Sequence, residues 1–102
     1  MTGLLHLLVV DDDDVDRQAV RRALRGIHCK IDEATSAKNV VERLGLQRYD
    51  CVILDHGLPG EDGLHLLQRI REAGITTPVL VVTGQEDGVA ASRAGSQFIP
   101  NN

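Results

Sequence analysis

Polar side chains able to do chemistry follow three apolar runs of the sequence, at the point where each run ends. Asp11 and Asp12 come directly after the run at residues 4–10, Asp55 follows the run at 51–54, and Thr83 follows the run at 79–82. If these runs are parallel strands, their carboxyl ends lie at one edge of a sheet, where open parallel sheets bind ligands. We therefore expect three carboxylates and a hydroxyl to converge there.

Three neighbouring carboxylates call for a cation. At a separation of about 5 Å, each pair repels by roughly 3 kcal/mol at an effective dielectric constant of about 20. A hard divalent cation relieves this repulsion, and Mg²⁺ suits a site that offers a few carboxylates, a backbone carbonyl and water. With the Thr83 hydroxyl, such a metal would cradle a phosphoryl group whose acceptor is one of the carboxylates.

The other acids near residue 11 favour structural roles. Asp13 and Asp14 stand where a helix is expected to begin, so capping and the helix dipole explain them, and Asp16 is interpreted as solvated. An EF-hand loop is excluded, because Val15 stands where the third oxygen ligand is needed and Asp16 stands where the loop needs glycine.

The histidines and cysteines do not predict a second site. The four histidines show no metal-ligand spacing, and no Ser or Cys lies beside a His and an acid as a nucleophilic triad requires. His56 is interpreted as a surface or packing residue beside Asp55. Cys29 and Cys51 show neither a disulfide framework nor C-x-x-C spacing, and we interpret them as reduced, buried thiols.

Short apolar runs alternate with helical patterns along the chain. Strands are predicted at residues 4–10, 30–34, 51–54 and 79–82, with a short fifth at 98–99. Helices are predicted at residues 15–25, 37–44, 63–73 and 89–94. Ser36 is the expected N-cap of the second helix, and Val15, Ala19, Ala23 and Leu24 are the expected inner face of the first. Repeated strand–helix units with short loops predict an α/β domain with a parallel sheet covered on both faces.

Composition limits the classes of function. The 102 residues are 42% hydrophobic and 25% charged, which suits one domain with a single core and no disulfide or metal staple. The net charge of -4, with one Tyr and one Phe as the only aromatic residues, argues against direct nucleic-acid binding. No apolar stretch is long enough to span a membrane, and no basic region precedes the first apolar run as in a secretory signal. A cytoplasmic location is expected.

Four segments occur in a fixed order: LVVDDD at residues 8–13, VILD at 52–55, LPGEDG at 58–63 and PVLVVTG at 78–84. Together they resemble the receiver domain of two-component response regulators. The resemblance implies one flavodoxin-like domain, a doubly wound parallel sheet, over residues 1–102. It also implies a protein that takes a phosphoryl group from a sensor histidine kinase or a phosphotransfer domain. Such a domain is a phosphoryl acceptor and not an enzyme, apart from self-catalysed phosphorylation and dephosphorylation.

The resemblance also assigns roles to residues. Asp55 matches the phosphoacceptor, and Thr83 and Phe98 match the hydroxyl and the aromatic switch that respond to the phosphoryl group. Asp12 is the favoured direct metal ligand of the acidic pair. The full set of implied Mg²⁺ ligands is Asp11, Asp12, Asp55 and the backbone carbonyl of Gly57.

The sequence departs from the family pattern near its end. The family carries a Lys shortly after its last aromatic residue, but Asn101 takes that position here and no lysine follows Lys38. Loss of this charge is expected to cost on the order of 3 kcal/mol in the phosphorylated state. The fourth helix is expected to be shortened and the fifth absent, so this is either a degenerate or truncated receiver or a chain that continues beyond residue 102. Without a fifth helix, apolar residues of the first and third strands should be exposed and invite a homodimer or another domain.

Two alternatives stay open. A phosphorylation-impaired pseudo-receiver would keep the fold and act as a docking or dimerisation module. A haloacid-dehalogenase-like phosphatase would use Asp11 as nucleophile and Asp13 as acid/base. That class also needs a later Lys and a later acidic pair, and only Glu86 and Asp87 are acidic after Thr83.

Overall fold

The apolar runs form five parallel strands of one sheet. In a computed structural model, residues 3–83 and 97–100 are described. The strands are β1 (Leu5–Val10), β2 (Cys29–Ala34), β3 (Cys51–Asp55), β4 (Val79–Thr83) and β5 (Gln97–Pro100). The helices of the described residues are α1 (Asp14–Ala23), α2 (Val40–Leu46) and α3 (Gly63–Glu72). The predicted α/β class and parallel sheet are confirmed.

The strand order is β2-β1-β3-β4-β5, so the chain reverses its direction of travel across the sheet between β1 and β3. In the sheet register, Val10 of β1 pairs with Ala34 on one side and with Leu54 on the other. The ends of β1 and β3 therefore flank the topological switch point, which is where doubly wound sheets bind ligands.

The main core lies between the sheet and helices α2 and α3. Alternate residues of β1, β3 and β4 point to this face because successive side chains of a strand alternate between faces. The fully buried members are Leu8, Val10, Val40, Val52, Leu54, Leu66, Leu67, Ile70, Val79 and Val81.

Helix α1 packs on the opposite face, but with a different inner side from the one predicted. Val15 is 67% exposed, and no residue of α1 is fully buried. Arg17 and Arg21 both pair with Glu33 of β2, at 3.0 and 2.6 Å, and this contact turns Val15, on the opposite side of the helix, towards solvent. Of the residues expected to face inward, Leu24 is half-buried. Ala19 and Ala23 line a groove beside the sheet but are exposed, and Val20 is half-buried in the same groove.

A groove of about 140 Å³ runs beside α1 on the same face. Ile53 of β3 and Val82 of β4 are half-buried along it, so the exposure expected for the third strand is only partial. Leu7 and Val9 of β1 are only 6% and 1% exposed, so the expectation of exposure is wrong for these two residues. Helix α1 lies over this part of the face and buries Leu7 and Val9, which the sequence did not predict.

Helix α2 begins later than predicted. The Ser36 hydroxyl accepts a hydrogen bond from the Lys38 N–H at 3.2 Å, which makes a local turn in place of a helix cap. Asn39 has a left-handed conformation with φ of 67°, so helical backbone cannot extend from Val40 back towards Ser36.

A polar cluster closes the amino end of the sheet. The Tyr49 hydroxyl is buried, donates to Asp32 at 2.8 Å and accepts from the Arg43 guanidinium at 2.9 Å. The His6 ring nitrogen lies 2.8 Å from the same Asp32 oxygen. Burial raises the pKa of Tyr49, and the hydrogen bond from Tyr49 lowers the pKa of Asp32. This cluster joins β1, β2, α2 and the segment before β3.

Strand β5 contains the predicted short strand and pairs in parallel with β4, with Phe98 opposite Val81. The predicted helix at residues 89–94 and the position of Asn101 lie outside the described residues, as do the expectations of a shortened fourth and absent fifth helix. Within residues 3–83 and 97–100, no helix has the length and apolar character needed to cross a bilayer.

Candidate metal centre

Three carboxylates meet at the carboxyl edge of the sheet. Oxygen atoms of Asp11, Asp12 and Asp55 all lie within 4.8 Å of one another. Asp11 directly follows β1 and Asp55 ends the neighbouring β3, so the sheet register itself brings them together. Asp11 is 9% exposed, Asp55 is half-buried and Asp12 is exposed. The cluster is thus open to solvent on the Asp12 side.

Hydrogen bonds between neighbouring residues shape the turn from β1 to α1. The Asp11 carboxylate accepts from the Asp13 N–H at 2.9 Å, and the Asp13 carboxylate accepts from the Val15 N–H at 2.8 Å. Asp13 is therefore the N-cap of α1, as expected for one of the two acids. Asp14 instead pairs with Arg17 at 3.1 Å.

Backbone hydrogen bonds of the loop after β3 fix the loop and orient the Asp55 carboxylate. The Gly57 N–H donates to a carboxylate oxygen of Asp55 at 3.2 Å, and the His56 N–H donates to the Val82 carbonyl at 2.9 Å. The Gly63 N–H donates to the His56 carbonyl at 2.8 Å, which ties the start of α3 to the end of β3.

Gly63 is required at this contact. A Cβ at position 63 would overlap the carbonyl oxygen of Asp55 and lie 3.0 Å from the Cα of His56. Only glycine lets α3 approach β3 this closely. The sequence pattern did not predict this close contact at Gly63. Asp62, which caps α3 by accepting from the His65 N–H at 2.8 Å, was the available signal of a helix start.

Within residues 3–83 and 97–100, no Lys, Arg or His side chain forms an ion pair with the three carboxylates of the cluster. Burial raises the pKa of Asp11 from 3.8 to about 6, in spite of the opposing hydrogen bond from Asp13 and with repulsion from Asp55, Asp16 and Asp12 adding to the rise. Burial also raises the pKa of Asp55, with the Gly57 hydrogen bond opposing it. Perturbed carboxylates grouped in this way mark candidate functional sites.

The donor set fits magnesium. Ligands of one octahedral Mg²⁺ lie about 3 Å apart when adjacent and about 4 Å apart when opposite, since each is about 2.1 Å from the ion. Oxygens spread over 4.8 Å or less reach this spacing by a small movement of the exposed Asp12 or through a water ligand. All three donors are carboxylate oxygens, which hard divalent cations prefer.

Thr83 and Phe98 lie on the adjacent strands. Asp55 pairs with Val82 in the register of β3 and β4, so the backbone of Thr83 stands one position further towards the carboxyl edge. Phe98 pairs with Val81. The side chains of Thr83 and Phe98 lie outside the described part of the structure, and their roles stay predictions.

The sheet order and the cluster define a class of protein: a doubly wound α/β domain with a group of carboxylates, a candidate site for a divalent cation, at its topological switch point. The family model described as the response regulator receiver domain matches residues 7–97. The chain belongs to this family.

Individual relatives agree with this assignment. The chain is 38% identical over 82 residues to the transcriptional regulatory protein BasR of Escherichia coli (strain K12), covering 80% of this chain and 37% of BasR. The receiver domain of the Francisella response regulator 1452 superposes with a TM-score of 0.80 at 24% identity, over 95% of this chain and 84% of that one. A CheX-CheY-BeF3-Mg+2 complex from Borrelia burgdorferi gives a TM-score of 0.80 at 23% identity, over 98% and 81%.

The flavodoxin-like fold and the phosphoacceptor function in two-component signalling are therefore confirmed for this chain. As a member of the receiver family it is a phosphoryl acceptor. The chain spans between 37% and 53% of the lengths of the first curated relatives.

Proposed function

We propose that Asp55 accepts a phosphoryl group from the phosphohistidine of a sensor histidine kinase or a phosphotransfer domain. Mg²⁺ would be held by Asp11, Asp12, Asp55 and the backbone carbonyl of Gly57. The observation that supports this assignment is the group of three carboxylates within 4.8 Å at the ends of β1 and β3, in a chain of the receiver family.

In the proposed reaction, a carboxylate oxygen of Asp55 attacks phosphorus as the P–N bond of the phosphohistidine breaks, and the electron pair of that bond leaves with the imidazole. The Gly57 N–H limits rotation of the Asp55 carboxylate. Bound Mg²⁺ supplies positive charge for the phosphoryl oxygens.

The positions of Thr83 and Phe98 in the sheet suggest their roles. We propose that the Thr83 hydroxyl contacts the phosphoryl group and that Phe98 responds to it, since β4 and β5 continue the edge on which Asp55 lies. The groove beside α1 is a candidate surface for a second copy of the chain or for another domain. A pseudo-receiver is the second candidate, on the expectation that Asn101 takes the position of the family Lys.

Mass spectrometry of the intact protein tests the assignment. Incubation with Mg²⁺ and a small-molecule phosphodonor should give a single phosphoryl adduct that is lost in Asp55→Asn and on chelation of the metal. Asp50→Asn is the matched control, because Asp50 is an exposed acid just before β3 at the opposite edge of the sheet.

Two other outcomes contradict the proposal. An adduct that survives Asp55→Asn but vanishes in Asp11→Asn would support the phosphatase, with Asp11 as nucleophile. A chain that takes no adduct from any donor would be the docking module.

A further inference from the structure

Arg17 lies directly behind the acidic pair without joining it. Its guanidinium donates to the backbone carbonyl of Asp11 at 2.9 Å, to Glu33 of β2 at 3.0 Å and to Asp14 at 3.1 Å. The side chain is only 12% exposed. Three acceptors on three sides thus fix the planar guanidinium between α1, β2 and the end of β1.

Strand β2 ends too early to supply a backbone N–H to the carbonyl oxygen of Asp11. The Asp11 N–H donates to the carbonyl of Ala34 at 2.9 Å, and Ala34 is the last residue of β2. Because the N–H and C=O of one strand residue point to the same side, the Asp11 carbonyl oxygen projects past the end of β2. Arg17 occupies that place and supplies the hydrogen bond.

This bond sets the direction of Asp12. The Asp11 carbonyl and the Asp12 N–H belong to one planar peptide unit, so a fixed carbonyl oxygen also fixes the orientation of that unit. The chain leaves β1 at this peptide and carries Asp12 to the exposed side of the cluster. Rotation of the peptide would move the Asp12 carboxylate relative to Asp11 and Asp55.

The charge of Arg17 is already shared with two acids. Glu33 and Asp14 both accept from its guanidinium, and Arg21 followed by Arg17 lowers the pKa of Glu33. The contact with Asp11 is to the backbone and not to the carboxylate. Any effect of Arg17 on the acidic pair therefore comes from the position of the Asp11 backbone and not from neutralising a carboxylate.

We propose that Arg17 is a positioning residue for the metal-binding pair Asp11 and Asp12, because it caps the Asp11 carbonyl where the β1–β2 ladder ends. The inference rests on the proposed function, since it assumes that these acids hold Mg²⁺. If Arg17 has this role, Mg²⁺ binding depends on more than the ligands themselves. It also depends on the packing of α1 against β2 through the Arg17–Glu33 ion pair.

Arg21 is a matched control on the same helix. It pairs with the same Glu33, at 2.6 Å, and donates to a backbone carbonyl, that of Ile31, at 3.3 Å. Its contacts in the described residues lie along β2 and do not reach Asp11. Arg17→Gln and Arg21→Gln therefore each remove one Glu33 ion pair and one bond to a carbonyl. Arg17→Gln also removes the ion pair with the exposed Asp14, and it alone removes a contact to the acidic pair.

Mg²⁺ affinity, measured by isothermal titration calorimetry, separates the two variants. Arg17→Gln should weaken Mg²⁺ binding about tenfold, as loss of a group that orients metal ligands does, whereas Arg21→Gln should change it by less than about twofold. The thermal melting temperatures of the two variants without metal should be similar. Equal weakening of Mg²⁺ binding in both variants would overturn the proposal and leave Arg17 as a brace between helix and strand.

Adduct formation with a small phosphodonor gives a second readout. For Arg17→Gln, the Mg²⁺ concentration at half-maximal rate should rise about tenfold while the rate at saturating Mg²⁺ stays within about twofold of the wild-type rate, because Asp55 is untouched. General structural damage would lower the saturated rate as well, and that result would also count against the proposal.

Arg17→Lys distinguishes geometry from charge. Lysine keeps the positive charge but cannot donate to three acceptors in one plane. The Mg²⁺ affinity of Arg17→Lys should therefore stay within about twofold of that of Arg17→Gln. Restored affinity would show that charge and not position is required. If Arg17→Gln does not fold, Arg17→Lys takes its place in both measurements with the same expectation. A wild-type chain that binds no Mg²⁺ would instead refute the proposed function itself.

Discussion

The carboxyl group of Asp11 should destabilise the metal-free domain at neutral pH. Its pKa is about 6 in the folded chain, against 3.8 for an ordinary Asp. The folded state therefore keeps a proton that the unfolded state has released, and stability falls as pH rises from about 4 through 6. A difference of about two pKa units corresponds to a loss of about 3 kcal/mol, shared with Asp55 because the two carboxylates interact.

Asp11→Asn removes this penalty with little change in shape. The Asn side-chain oxygen can still accept the hydrogen bond from the Asp13 N–H. Without metal, the variant should exceed wild type in free energy of unfolding by up to about 3 kcal/mol near pH 7.5, but by only about 0.5 kcal/mol near pH 4, where most wild-type Asp11 is protonated. Titrating groups that do not interact with Asp11 cancel in the difference between the two proteins at each pH.

Urea unfolding in the presence of a chelator, followed by circular dichroism, measures these differences. Glu72→Gln is the control, since Glu72 is an exposed acid on α3 and its loss should have nearly the same effect at both pH values. Saturating Mg²⁺ should stabilise wild type near pH 7.5 and stabilise Asp11→Asn much less. A wild-type free energy of unfolding that does not fall between pH 4 and 7.5 relative to that of Asp11→Asn would show that Asp11 does not destabilise the folded state.

Three further substitutions have defined expectations. Gly63→Ala should lower the free energy of unfolding by about 1 to 3 kcal/mol in urea and slow adduct formation on Asp55, because the added Cβ meets the acceptor backbone; an unchanged adduct rate would show that the contact relaxes freely. Tyr49→Phe should cost about 1 to 2 kcal/mol in the same assay, because the half-buried Asp32 loses a donor, and a neutral result would mean that water replaces the hydroxyl. Asn39→Ala should cost about 1 kcal/mol because of its left-handed backbone, whereas Asn39→Gly should match or exceed wild type; equal stability of the Ala and Gly variants would contradict this.

The sheet and the carboxylates were predictable because both depend on local pattern. Continuous apolar runs mark strands buried on both faces, and the residue at which each run stops marks the carboxyl edge. The end of the first run predicted Asp11 and the end of the third predicted Asp55, and the parallel register brings these two within reach of each other.

The features that the sequence did not predict depend on tertiary contacts. The rotation of α1 follows from the reach of Arg17 and Arg21 to Glu33, a residue on another element. The late start of α2 depends on the left-handed backbone of Asn39, which the residue type permits but does not require. The bond from Arg17 to the Asp11 carbonyl arises only because β2 ends at Ala34.

The polar cluster at the amino end of the sheet gives the chain a built-in optical reporter. Tyr49 is the only tyrosine, and the sequence contains no tryptophan, so near-ultraviolet absorbance and fluorescence come almost entirely from this one ring. It lies 4.4 Å from the His6 ring, just before β3, whereas the acids lie at the far end of the same strand. The intrinsic signal should therefore follow unfolding of the sheet and remain silent during a Mg²⁺ titration, which allows folding and ligand binding to be recorded separately in one unlabelled sample.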